Sequence, residues 1–128
     1  MEITFPPNDW FGEEDFIDLY KELLDEDLLD DDRIIAIVID KEGIKKNITA
    51  LTARKKSKHL ANAVTNFSTL DNDKQLRILG VLSASENSFY LMLASSFLAA
   101  NHCICFEDLS DSALASRIDI FKPHIIIG

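Results

Sequence analysis

The stretch "NHCICFEDLSDSALASRIDIFKPHIIIG", residues 101–128, reads as strand, loop, helix, proline break and strand. His102–Phe106 is a short apolar run of strand length. Ser110 is placed to cap a helix over Asp111–Phe121, with Leu114, Ile118 and Phe121 along one side. Pro123 cannot continue that helix, so His124–Ile127 starts a new strand. Two strands joined by a helix of this length run parallel, through a right-handed crossover.

The same alternation extends upstream. Gln75–Leu82 is an apolar strand, and Ser85 precedes a helix expected over Glu86–Ala100. That helix is apolar almost all round and should be buried on most sides. Before it, Arg33–Ile39 is a β-branched strand, Asp40–Gly43 a turn, and Lys45–Thr49 a second strand. Thr49 is the expected N-cap of a helix over Ala50–Phe67, whose inner stripe is Ala53, Ser57, Leu60, Ala61 and Val64. The fold class is therefore α/β, with parallel strands, crossover helices and central strands apolar on both faces.

Residues 1–32 form a separate segment ahead of the α/β part, 33–128. Pro6–Trp10 is a loop. Phe16, Leu19, Tyr20, Leu23 and Leu24 keep the spacing of one helix face, and the acidic run Asp25–Asp32 reads as a solvated connector. The start is acidic and lacks the basic and apolar regions of a secretory signal. No apolar run approaches the roughly 20 residues of a membrane span. The 128 residues carry a net charge of −9, which opposes holding nucleic acid by its phosphates. Cys103 and Cys105 share one face of a strand with little freedom to form an unstrained bridge, so both read as reduced core residues of a cytoplasmic protein.

Local chemistry is sparse. Arg54, Lys55, Lys56, Lys58 and His59 make a basic cluster, read as the solvated outer face of one helix. His102 beside two cysteines suggests zinc, but alternate strand residues cannot gather around a tetrahedral ion, so no metal is expected. The glycines stand singly at 12, 43, 80 and 128, and a loop that cradles phosphate needs several together. No serine, histidine or aspartate stands in a nucleophile elbow, and no catalytic residue is assigned.

Residues 34–127 resemble the start of the AMP-forming acyl-CoA synthetases, the adenylating superfamily. The hairpin Ile37–Gly43, then Ile48-Thr49, Ala61 and Val64, is similar to that family's opening elements. Leu70–Ser85 resembles its next strand, with Asp73 at the family's aspartate. Ala100, His102, Phe106, Ser110, Leu114, Arg117, Ile118 and Pro123 match the acetyl- and propionyl-CoA synthetase branch without a gap. Trp10-Phe11 is similar to the tryptophan near the start of that branch. Departures fall at Ala50, Ala53, Ser57, Ala99, Glu107 and Asp108. The last two replace paired glycines.

The resemblance implies a fragment covering the first fifth of a synthetase, with the sheet continuing beyond residue 127. The full enzyme would use ATP, Mg²⁺ and coenzyme A to convert a small carboxylic acid to its acyl-adenylate and acyl-CoA. The segment alone would be scaffold, inactive by itself and binding no cofactor, with the rest of the synthetase chain as its partner. Phe106, Glu107 and Asp108 would line the coenzyme A loop. An acetoacetyl-CoA synthetase-like member and a truncated binding or scaffolding module are the alternatives. A signalling receiver has similar alternation, but Asp31 and Asp32 precede the first strand instead of following it.

Overall fold

The structure, a computed structural model, describes Leu24, residues 30–67 and residues 75–128. The Pro6–Trp10 loop, the Trp10-Phe11 match, the first amphipathic helix apart from Leu24, and Asp73 lie outside them.

Strands β1 (Ile34–Ile39) and β2 (Lys45–Thr49) pair antiparallel as a separate two-stranded sheet. Asp40 fixes the turn between them: its Oδ1 accepts the N–H groups of Glu42 (2.9 Å) and Ile44 (2.8 Å). Gly43 adopts φ +81°, a conformation that suits glycine because a Cβ would be strained there. Helix α1 (Ala50–Phe67) follows directly, capped by Thr49, whose Oγ1 accepts the Thr52 N–H at 3.2 Å.

The remaining strands, β3 (Arg77–Val81), β4 (Asn101–Cys105) and β5 (Ile125–Ile127), form one parallel sheet in the order β4-β3-β5. Helix α2 (Glu86–Phe97) carries the chain from β3 to β4, and α3 (Asp111–Phe121) from β4 to β5. Ser85 and Ser110 cap these helices as their positions foretell. The mixed α/β class with parallel strands and crossover helices holds, and β3 is buried on both faces: Ile78 and Leu79, pointing opposite ways, are both 0% exposed.

Helix α2 ends three residues earlier than its apolar pattern suggests. Ala99 turns left-handed at φ +50°, and the N–H groups of Ala99 and Ala100 close back on Ser96 and Ser95. This is the hydrogen-bond pattern of a Schellman stop, with alanine where glycine is usual. Local carbonyl satisfaction overrides the apolar run.

The core has two lobes that share α2. Leu24, Ile48, Ala53, Tyr90 and Leu93 pack under the hairpin, joined by Ile35, Val38 and Phe89. Val64, Ile78 and Leu91 pack against the sheet with Leu60, Ile104, Ile125 and Ile127. An element wedged between two apolar layers needs apolar residues all round, as α2 has. Helix α3 is different: none of its residues is buried, and Ile120 is largely exposed. Outward-facing isoleucines also mark β1, at Ile37 and Ile39, and Ile126 is exposed on the outermost strand β5.

One side chain differs from the sequence reading. Arg54 is not on the solvated face of α1 but buried, its Nε donating to the Leu24 carbonyl at 2.8 Å and its Nη1 to Asp31 at 2.7 Å. Asp31, the carboxylate that this arginine meets, is itself 61% exposed. A guanidinium satisfied at both ends can be buried where a lysine could not.

Candidate functional site

In an open parallel sheet, strand ends and connecting loops gather at the carboxyl edge, where the winding direction reverses. Here β3 leads to β4 on one side, and β4 leads back to β5 on the other. The reversal lies between β3 and β5. A cavity of about 350 Å³ opens at that edge, lined by Lys56 and Leu60 of α1, Leu82 and Ser83 beyond β3, Asn87 and Tyr90 of α2, and Glu107 beyond β4.

Local chemistry positions these side chains. Ser85 Oγ caps α2 by accepting the Asn87 N–H at 3.3 Å, and Ser88 Oγ accepts the Ser85 N–H in return at 3.4 Å. That reciprocal cap fixes the loop Leu82–Asn87. On the hairpin side of α2, Lys46 Nζ meets Glu86 Oε2 at 2.6 Å. The Glu86 carboxylate, through this hydrogen bond, holds the lysine above its ordinary range. Tyr90 is 5% exposed, and burial pushes its phenol up, with Glu86 adding to the effect.

Of the three residues assigned to a coenzyme A loop, the structure brings only Glu107 into the cavity lining. Phe106 is 55% exposed on the surface, and Asp108 is exposed in the turn leading to α3. Ser110 next to them accepts the Ala113 N–H, a plain capping role. Ser83, Asn87 and Tyr90 escaped the sequence reading as lining residues, and Lys56 was expected only as part of a solvated basic face. The small polar run Ser83–Asn87 directly after an apolar strand could have found Ser83 and Asn87, whereas nothing local marks Lys56 or Tyr90.

Burial lowers the His102 imidazole and raises the Cys105 thiol, the latter also through neighbouring Cys103. Both cysteines are free thiols. A raised thiol keeps little thiolate at neutral pH, and Cys105 is also 2% exposed. Iodoacetamide at pH 8 should therefore alkylate Cys103 at least about tenfold faster than Cys105, read by peptide mass spectrometry. Equal rates would contradict the buried strand position. Among the described residues, no group of three metal-ligating side chains comes together, and no helix is long and apolar enough to cross a membrane.

No protein-family model and no curated protein matches the chain. Solved structures do. A Brucella canis acyl-CoA synthetase aligns with TM-score 0.70 and 14% identity, over 84% of this chain and 19% of that one. Apo MatB from Rhodopseudomonas palustris aligns with TM-score 0.67 and 17% identity, over 85% and 20%. CmiS6 aligns with TM-score 0.62 and 14% identity, over 75% and 24%. The chain spans about a fifth of the length of the first two. Its fold is that of a partial domain of acyl-CoA synthetase-like structures.

Proposed function

We propose that this chain is the N-terminal part of an AMP-forming, adenylating acid–CoA ligase. The observation that carries the reading is the TM-score of 0.70 over 84% of the chain to an acyl-CoA synthetase. The ungapped resemblance from Ala100 to Pro123 favours the acetyl- and propionyl-CoA branch, hence a small carboxylic acid as substrate, in the cytoplasm. ATP, Mg²⁺ and coenzyme A belong to the complete enzyme.

This chain's own residues fit those groups only in part. The exposed ring of Phe106 offers a flat apolar face to an adenine. Glu107 and Asp108 set two carboxylates beside it, which repel a polyphosphate ligand. The segment therefore acts as scaffold for chemistry located elsewhere. The rest of the synthetase chain is its partner.

Pyrophosphate exchange with acetate, propionate and ATP should stay at background for the chain alone; a clear rate would overturn the scaffold role. Sequencing the intact transcript tests the wider reading. An open frame leading into a glycine-rich phosphate loop supports the ligase. A stop codon after Gly128 supports a binding or scaffolding module instead.

A further inference from the structure

Cys103 and Cys105 take no part in the cavity described above. In β4 they stand at alternate positions, beside Leu79 and Val81 of β3. Their side chains therefore leave the sheet on one face, while those of His102 and Ile104 leave it on the other. Both are free thiols; Cys105 is buried and Cys103 half-buried, so the pair is reached from the Cys103 side. The two side chains meet. After burial, it is the neighbouring Cys103, by its charge and by a hydrogen bond, that holds the Cys105 thiol above its ordinary range. The Arg117 guanidinium of α3 draws the same thiol back towards thiolate. Two sulfurs and one fixed cation thus stand together on this face of the sheet.

Alternate residues of a strand lie about 6.6 Å apart, near the limit for a disulfide, whose sulfurs must close to about 2.05 Å. An ion between the sulfurs relaxes that demand: with metal–thiolate bonds of about 2.3 Å, a linear unit needs them only about 4.6 Å apart. Zinc asks for four ligands, whereas His102 is on the wrong face and no group of three metal-ligating side chains forms among the described residues. Soft thiolates select Cu(I), an ion that two sulfurs in line can satisfy. We propose that Cys103 and Cys105 bind one Cu(I) ion between their sulfurs. Two thiols give up two protons and one monovalent cation enters, so the bis-thiolate site carries one net negative charge. Arg117 is the positive charge that answers it.

The inference does not rest on the ligase reading, since it concerns equilibrium binding to this chain without ATP. Anaerobic titration of the chain with Cu(I), in competition with the chelator ferrozine, tests it. The chain should take up one ion, more tightly as pH rises because two protons leave. Cys103→Ser and Cys105→Ser should each weaken Cu(I) at least about a hundredfold, since even the partners behind a ligand are worth about 10–100-fold. Cys103→Ser, at the half-buried position, should melt without metal as the parent does. An unfolded chain with two nearby thiols also attracts the ion. One equivalent of Cu(I) should therefore also raise the melting midpoint of the unaltered chain, which only tighter binding to the folded strand achieves. Zn(II) should bind at least about a hundredfold more weakly than Cu(I). No competition with ferrozine, equal affinity in Cys103→Ser, or a melting midpoint unmoved by Cu(I) would overturn the proposal. Each of these results would leave the ligase reading untouched.

Discussion

Gly80→Val should destabilise the chain by about 3 kcal/mol or more, enough to consume much of a small domain's stability. Gly80 sits in β3, the central strand, beneath α2. A Cβ there would lie 2.5 Å from Leu91 Cδ2 and 3.3 Å from Leu82 Cδ1. Leu91 is 0% exposed and packed with Val64 and Ile78, so its methyl can move only at the expense of that packing. The strand must separate from the helix, or the leucine must leave its rotamer. Gly80→Ala, with one methyl, should cost about 1–3 kcal/mol. Adding Leu91→Ala to Gly80→Ala should recover part of that loss, because the cavity of one substitution accommodates the methyl of the other. Urea denaturation followed by circular dichroism reads all of these. A Gly80→Val chain as stable as the parent would mean that α2 does not lie this close to the sheet.

The second large effect is expected at Arg54. Arg54→Ala should cost about 2–4 kcal/mol, since it removes a charge-assisted hydrogen bond from a site only 4% exposed and strands the Leu24 carbonyl. The bond to Asp31 contributes less, because that carboxylate is 61% exposed and water replaces its partner easily. Asp31→Asn should therefore cost about 1 kcal/mol or less. Arg54→Lys should behave more like alanine than like arginine, since one ammonium cannot reproduce the fork that reaches both Leu24 and Asp31. A melting experiment separates the two roles. If Asp31→Asn equals Arg54→Ala, the surface ion pair, and not the buried bond to Leu24, holds the N-terminal segment.

Much of the fold is legible in the residues. Ser85 and Ser110 announce helix starts because a side-chain oxygen there satisfies backbone N–H groups locally. Pro123 announces a helix end for an equally local reason, the missing N–H and fixed φ. The β-branched runs at Ile34–Ile39 and Arg77–Val81 appear as strands with ends shifted by one or two residues. Of the expected inner stripe of α1, Ala53, Ser57, Ala61 and Val64 are buried and Leu60 is half-buried.

The candidate site was legible only at one of its walls. Glu107 drew attention through a resemblance, but Lys56 looked like one more solvated lysine in a basic cluster. Lys56 and Glu107 are 51 residues apart in sequence, and nothing local says that they border one cavity. Which residues of two separate loops and a helix meet follows from the strand order.

By itself, the sequence determined what is set within a few residues: element types, caps, breaks, the inner stripe of α1 and the need for α2 to be covered on all sides. The tertiary structure alone decided the strand order β4-β3-β5, and with it the cavity between the ends of β3 and β5. It also decided that Arg54 turns inward, where the Leu24 carbonyl and Asp31 wait 30 and 23 residues away in sequence. The physical reason is the same in both cases. Periodicity reports which faces are apolar, whereas partners supplied by distant segments determine which polar groups can be buried and where a gap is left.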